Sequence, residues 1–527
     1  MCIVNHSLQN RWKCRGTGKA SEFEKQPASR RFALKRLHLA AGMVLLVPGA
    51  FAMAQTANWT VTTPYVPSTD YNITVSNPNI DGGAVATVGA NDTAVINDFL
   101  AYAAAHGGGT VEVPDTGNGV FKSNEMFIGN NTNLQVDTGA ELLNNVPKDV
   151  FLTNLNTTQQ NVEISGGGTL NGGGSSGNNH MILLQNVSNL EVYNVTITNA
   201  SNEHLVVEGD NNVLINDITI SQPGEGANTD GIDFSGTNFL IENCNIDDGD
   251  DDIVAKPENT HCANIYIQNI SITNGHGISI GGQTNMGLNG MFVNNVTINM
   301  ASPSNENGFD FKAGDGTGNQ YGGLVQNVTV NNASINDVDD GINISSFYNT
   351  ASGDNSFPGK DAPAYTPDST EPIWKDITFE NIAINDTTSN SANISGENVV
   401  AGYPPNTDEL NFVNITGTNV KNPWDMYFAS DVYINNLTQN GVMINDVQGN
   451  YKPASGGNEV SEEDDDTFDG TENPVYTANV PTLVAATVPE PASVGIIGTV
   501  MMVLLPRRNR GPGGMRRAVQ GSSAQSP

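Results

Sequence analysis

The sequence predicts an all-β fold: a single-stranded, right-handed parallel β-helix with coils of about 23–32 residues and a short helix capping its N-terminal end. Three observations predict it. A four-residue pattern, Asn-apolar-any-apolar, recurs through the middle of the chain. Its period has the size that repeat architectures use, and its alternation is that of strands. Between successive strands there is no room for a helix of ~10 residues, so nothing suggests alternating β and α units.

The elements follow in chain order. Residues 1–54 read as a secretory signal: a basic start through Arg36, an apolar run from Leu39 to Phe51, and the small-x-small site Ala52-Met53-Ala54. Ser29-Arg30-Arg31-Phe32-Ala33-Leu34-Lys35 comes close to a twin-arginine signal, so the export route stays open between that pathway and the general one. Thr93 to Ala105 is the one good helix, with Ile96, Phe99, Leu100 and Ala103 among the residues of its apolar side. It would cover the strand edges left open at the first coil. Gly107-Gly108-Gly109-Thr110-Val111-Glu112-Val113-Pro114 then turns into the first strand; no Lys-Ser/Thr follows, so it is not a phosphate loop.

The repeats are Asn194-Val195-Thr196-Ile197, Asp217-Ile218-Thr219-Ile220, Asn243-Cys244-Asn245-Ile246, Asn269-Ile270-Ser271-Ile272, Asn295-Val296-Thr297-Ile298, Asn327-Val328-Thr329-Val330 and Asn381-Ile382-Ala383-Ile384. Their last residues are 23, 26, 26, 26 and 32 apart, and the final step of 54 reads as about two coils. Coils stack ~4.7–4.9 Å apart. At that spacing an Asn in one slot can donate to the Asn of one neighbouring coil and accept from that of the other, which satisfies turn amides and makes the Asn structural. The β-helix domain is placed at 55–451. An acidic and polar linker follows at 452–487, with Glu462-Glu463-Asp464-Asp465-Asp466 as a solvated run of like charge.

Composition narrows the function. Charged residues are 15% of 527 and the net charge is −34, which excludes a disordered chain and argues against a nucleic-acid partner. No apolar segment reaches the ~18 residues of a membrane helix. Of 22 basic residues, the eight between Arg36 and Arg507 are all lysines, so the mature middle contains no arginine. Beyond the signal only Cys244 and Cys262 remain; export would permit a disulfide, and two small buried thiols fit the pattern as well.

Four motifs fall on consecutive coils: Asn228-Thr229-Asp230-Gly231, Gly249-Asp250-Asp251-Asp252, Gly275-His276-Gly277-Ile278-Ser279-Ile280-Gly281 and Gly308-Phe309-Asp310-Phe311-Lys312. Asp250 and His276 each stand four places after the repeat isoleucine, and Asp230 about one coil before Asp250. Stacked coils would therefore bring Asp230, Asp250, Asp251 and His276 to one patch. Carboxylates so close cannot all ionise freely, and like-charge repulsion should leave one protonated near neutrality. An acid beside bases is the equipment of glycoside hydrolysis.

In these motifs the chain resembles glycoside hydrolase family 28, the polygalacturonase family, best over residues 80–350. The resemblance implies an inverting hydrolase of pectin-like polysaccharide that needs no metal or cofactor. It implies Asp250 as general acid, Asp230 and Asp251 as the groups that activate water, His276 as the setter of the acid's protonation, and Asn228, Lys312 and Tyr348 as sugar contacts. The chain departs from the family at Asp310, which stands where the family's Arg-Ile-Lys motif has arginine. A planar guanidinium grips a uronate carboxylate; an aspartate would repel it, so the preferred substrate should move away from polygalacturonate. A lyase on the same fold would want an arginine base, which the mature region lacks. A non-catalytic β-helix of a surface or extracellular matrix remains the alternative.

At the other end, Val488-Pro489-Glu490-Pro491, the apolar run Ala492–Leu505 and Arg507-Arg508-Asn509-Arg510 resemble the PEP-CTERM sorting signal of Gram-negative bacteria (residues 488–510), with a basic tail at 511–527. This implies a transient membrane tether, a processing protease, and release as a secreted or cell-surface protein; since one β-helix domain usually suffices for function, a monomer is expected.

Overall fold

The computed structural model describes residues 55–444, save 118, 148, 157, 175–176, 178, 223–225, 302–306, 315–321, 349–370, 398 and 400–405, together with 447–451, 462–463, 476–478 and 480–485. The expected signal, the sorting segment, the basic tail and most of the acidic run lie outside the described residues.

The chain winds as a right-handed parallel β-helix. Each strand pairs in parallel with the strand one coil away: Ile182–Gln185 with Leu205–Asn216, that with Ile232–Glu242, then Ile253–Ala255, Ile278–Gly282, Phe309–Ala313, Ile342–Ser345, Asn390–Ser395 and Asn422–Tyr427. Alternation sends Val207, Phe234, Ala255, Ile280, Phe311, Ile344 and Ile394 inward, each at most 1% exposed. Such burial is worth ~1.5–3 kcal/mol per large side chain, and it fixes the register, since a one-residue slip would turn the row outward. In the C-terminal coils the filling is aromatic: Phe311 lies 5.7 Å from Phe379, Phe379 5.8 Å from Phe412, and Phe412 4.6 Å from Trp424. The capping helix spans Thr93–Ala105 as expected and buries Ile96, Phe99, Leu100 and Ala103. The solenoid's own sheet, however, begins before the helix, at Asp70–Asn72, which pairs with Gly109–Val113.

The asparagine ladder is present. Asn269 Nδ2 donates to Asn243 Oδ1 at 3.0 Å, and Asn295 Nδ2 to Asn269 Oδ1 at 2.7 Å. These residues turn the chain with positive φ: Asn243 58°, Asn269 56°, Asn295 56°, with Asp217 at 54° in the missing place. A second corner carries another ladder, Asn161–Asn189–Asn212–Asn238–Asn264, which the single-pattern reading did not separate. That corner also holds Asn327, because Val328 pairs with Met291. The true successor of Asn295 is Asn332, 37 residues on, and Ile335 then pairs directly with Ile384. The step of 54 read as two coils is therefore one long coil, from Ile335 to Ile384.

The structure bears on two further expectations. Cys244 and Cys262 are free and buried; desolvation pushes both thiols up to about 12, so they serve as small core residues. Part of the expected linker is ordered chain: Thr482–Ala485 pairs in parallel with Thr60–Thr63, and Tyr476–Ala478 with Gln55–Ala57. Val61 and Trp59 of the N-terminal segment cover an outward apolar stripe formed by Leu214, Leu240, Tyr266 and Phe292.

Candidate active site

The four motifs occupy the turn that enters the Ile253–Ala255 and Ile278–Gly282 sheet, and the strand beside it. Coil stacking sets their places. The Gly231 N–H donates to the Asp251 carbonyl at 3.0 Å, and the His276 N–H donates to the Asp250 carbonyl at 2.6 Å. Asp230, Asp251 and His276 therefore share one position in successive coils, with Asp250 one residue ahead. The expectation that Asp250 and His276 share a phase is off by one residue. The imidazole still reaches both carboxylates: its Nδ1 is 3.2 Å from Asp250 Oδ1 and 3.9 Å from Asp251 Oδ1.

Asp250 also accepts the backbone N–H of Asn228 at 2.9 Å and that of Asp251 at 3.0 Å. Burial pushes its carboxyl up, but the His276 hydrogen bond and charge, the Asn228 N–H and the Lys312 charge together pull it down to about 2. For His276, burial pulls downward and the two carboxylates push upward, and the net shift is upward. The two shifts run in opposite senses, so within the His276–Asp250 pair the imidazole holds a proton more readily than the carboxyl. Like-charge repulsion is not the leading cause of protonation here. Asp230 is raised first by desolvation and only then by Asp251 and Asp250, against the lowering charge of Lys256.

Two lysines organise the carboxylates. Lys312 Nζ donates to Asp251 Oδ1 at 2.8 Å and lies 2.9 Å from Asp310 Oδ2. It sits 5.3 Å from the centre of the Tyr348 ring. Asp251 also accepts from Ser279 Oγ at 2.8 Å, and Asp310 from Asn343 Nδ2 at 2.7 Å. Asp310 is only 5% exposed, so it is not an open negative charge; it neutralises the lysine instead. Lys256 repeats the device at the equivalent strand position, bonding Asp230 at 2.7 Å and Asp233 at 2.6 Å. Reading by motif passed over Lys256 and Asp233. The signal was available: Lys256 stands four residues after Asp252, as Lys312 stands four after Gly308, in the same strand slot.

Asp248 and Asp252 have no exposure to speak of, 2% and 0%. They hold backbone: Asp248 accepts the Asp250 N–H at 3.1 Å, and Asp252 the Gly277 N–H at 2.8 Å. Gly277 is required where it stands. Its φ is +75°, and a Cβ there would meet the Gly308 carbonyl at 2.1 Å. Asp250, Asp251 and His276 present donor atoms within 4.8 Å of one another, a spacing that could hold a cation. Lys312 and the imidazole already supply positive charge to those carboxylates.

The comparisons with known proteins agree with this architecture. The description "Glycosyl hydrolases family 28" matches residues 109–425. An endo-polygalacturonase of Pectobacterium carotovorum subsp. carotovorum is 26% identical over 356 residues, 59% of this chain and 82% of that protein. A probable polygalacturonase of Arabidopsis thaliana is 31% identical over 206 residues, 38% of this chain and 44% of that one. Among solved structures, an exopolygalacturonase from Thermotoga maritima superposes with a TM-score of 0.57 at 17% identity, covering 74% of this chain and 96% of that chain. The polygalacturonase from Erwinia carotovora ssp. carotovora gives 0.53 at 21% identity, covering 71% and 100%. With the match spanning most of the solenoid, this chain belongs to glycosyl hydrolases family 28 and is a glycosidase.

Proposed function

We propose that the protein is an exported, inverting hydrolase of a pectin-like polysaccharide, with its preference moved away from fully ionised polygalacturonate. The observation that carries this is the His276–Asp250 pair standing beside Asp251 and Asp230. In the reaction, Asp250 delivers the proton to the glycosidic oxygen as the bond from the anomeric carbon breaks, and the electron pair goes to that oxygen. That proton reaches the ionised Asp250 from His276, which holds it more readily, before Asp250 passes it on. Water attacks from the opposite face and gives its proton to the Asp251 and Asp230 carboxylates, which Lys312 and Lys256 hold in place. Asp250 and Asp251 present oxygens within 4.8 Å of each other, closer than the ~6.5–9.5 Å usual between acid and base in inverting enzymes, so the anomer first released, read by NMR, tests inversion. Asn228 and Tyr348 border the sugar. Because Lys312 is shared between Asp251 and Asp310, it is not a free cation for a uronate carboxylate. Export by the N-terminal signal and a transient membrane tether at 488–510 belong to the same reading, which places the enzyme outside a Gram-negative cell.

The test measures new reducing ends on polygalacturonate, methylated pectin, rhamnogalacturonan, galactan and xylan at pH 4 to 8. Turnover on one of these should fall by about 10²–10⁴ in Asp250→Asn. A folded protein that binds a glycan and turns over none of them would instead be a binding protein of the extracellular matrix.

A further inference from the structure

The strand face that carries Lys312 runs, toward the N-terminal coils, into a cavity of about 450 Å³. His180, Glu203, Glu208, Asp233, Lys256 and Glu258 are among its lining residues. It adjoins the catalytic group through one side chain, since Lys256 bonds both Asp230 and Asp233. The volume falls in the ~300–1,000 Å³ of small-molecule sites and accommodates a sugar residue.

The charges in this cavity are unbalanced. Both of its cations are already engaged: His180 Nδ1 lies 2.6 Å from Glu203 Oε2, and Lys256 holds two aspartates at 2.7 and 2.6 Å. Glu208 accepts a hydrogen bond from Gln185 Nε2 at 2.7 Å but, among the described residues, forms an ion pair with no cation, and neither does Glu258. Asp233 is 5% exposed and, among the described residues, its Oδ1 has no hydrogen-bond partner. The cavity therefore holds carboxylates in excess of cations. A ligand whose hydroxyls donate would satisfy them. A carboxylate brought here would meet like charges, an arrangement that costs affinity and so confers selectivity.

We infer that this cavity is a subsite for an uncharged sugar residue of the glycan chain, held by hydroxyl donation to its carboxylates, and that it excludes a free uronate. The inference rests on the hydrolase reading above and adds to it the charge state of the sugar next to the cleaved bond.

The experiment compares galacturonan oligomers with free carboxylates, the same oligomers fully methyl-esterified, and a neutral galactan oligomer, using the full chain. The parent should favour a neutral oligomer over the free acid by about tenfold or more in kcat/KM. Glu208→Lys should raise kcat/KM on the free acid by about tenfold, with a gain that shrinks as salt rises. Glu208→Gln, closer in shape, should move in the same direction by less. Binding of the three oligomers to Asp250→Asn, followed by calorimetry, separates the two readings. A neutral preference in binding without turnover in the parent would sustain the subsite and sink the hydrolase. A parent that favours the free acid, or binds no neutral oligomer, overturns the subsite. So does a ratio that stays within about twofold in Glu208→Lys while the variant melts like the parent.

Discussion

Asp250 is pulled in two directions, upward by burial and downward by His276, the Asn228 N–H and Lys312, and the downward pull wins at about 2. Its stabilising effect is thus present above the ordinary carboxyl value of 3.8 and is lost as pH falls toward 2. His276 has the opposite sign: raised above 6.5, its effect is present below that value and is lost as pH rises through the folded pKa. His276→Gln should therefore lower kcat/KM by about 10²-fold and abolish an alkaline limb lying above pH 6.5 in the parent. An unchanged pH profile would remove the imidazole from the proton inventory. Lys312 is 7% exposed between two carboxylates, so Lys312→Met should cost about 3–5 kcal/mol in a denaturant melt by leaving buried charge unpaired. In that background Asp310→Asn should restore part of the loss. At this scale the sequence made the participants legible, because Asp, Asp and His in stacked turns admit few other arrangements. It did not show where the proton sits. That depends on hydrogen bonds such as the Asn228 N–H to Asp250, where a residue read as a sugar contact acts through its backbone.

The coil is the unit at which asparagine matters. Asn269 donates to Asn243, accepts from Asn295, and holds φ at 56°. Asn269→Ala should cost about 2 kcal/mol, from two lost rungs and the left-handed backbone that alanine resists. Asn269→Gly should recover about half, because it keeps the backbone and loses only the rungs. Equal losses, measured as shifts in the denaturant midpoint, would show that the ladder alone is responsible. The same element explains the error in coil length. Both corners open with Asn before an apolar residue, so Asn327 imitates Asn295 in sequence while standing at the other corner. The true rung, Asn332-Ala333-Ser334-Ile335, has only alanine in the first apolar slot. Alanine at 5% exposure fills the interior there, but it carries little signal in a hydrophobicity pattern.

Across the whole molecule the carboxylates set the response to pH. Desolvation raises Asp233, Asp248 and Asp210 well above the ordinary carboxyl range and takes Glu191 to about 7 and Asp340 to about 6. A raised carboxyl stabilises below its unfolded pKa and loses that effect as pH climbs through the folded one. With a net charge of −34, self-repulsion acts in the same direction. The melting temperature should fall from pH 5 to pH 8 and partly recover with added salt at pH 8; a rise over that range would contradict the desolvation account. The fold class was legible from periodicity, whereas the pairing of Thr60–Thr63 with Thr482–Ala485 was not, since no local pattern links segments nearly a chain length apart. That pairing has a consequence for the order in which the protein is built. Each coil can stack on its predecessor as it emerges, but Thr60–Thr63, laid over Leu240 and Tyr266 through Val61, finds its partner only after the whole solenoid between it and Thr482–Ala485 has been made. Before then it is a bare β-edge, able to recruit the same edge of another nascent chain. Deleting residues 476–527 should make that interval permanent and appear as dimers and larger species in light scattering.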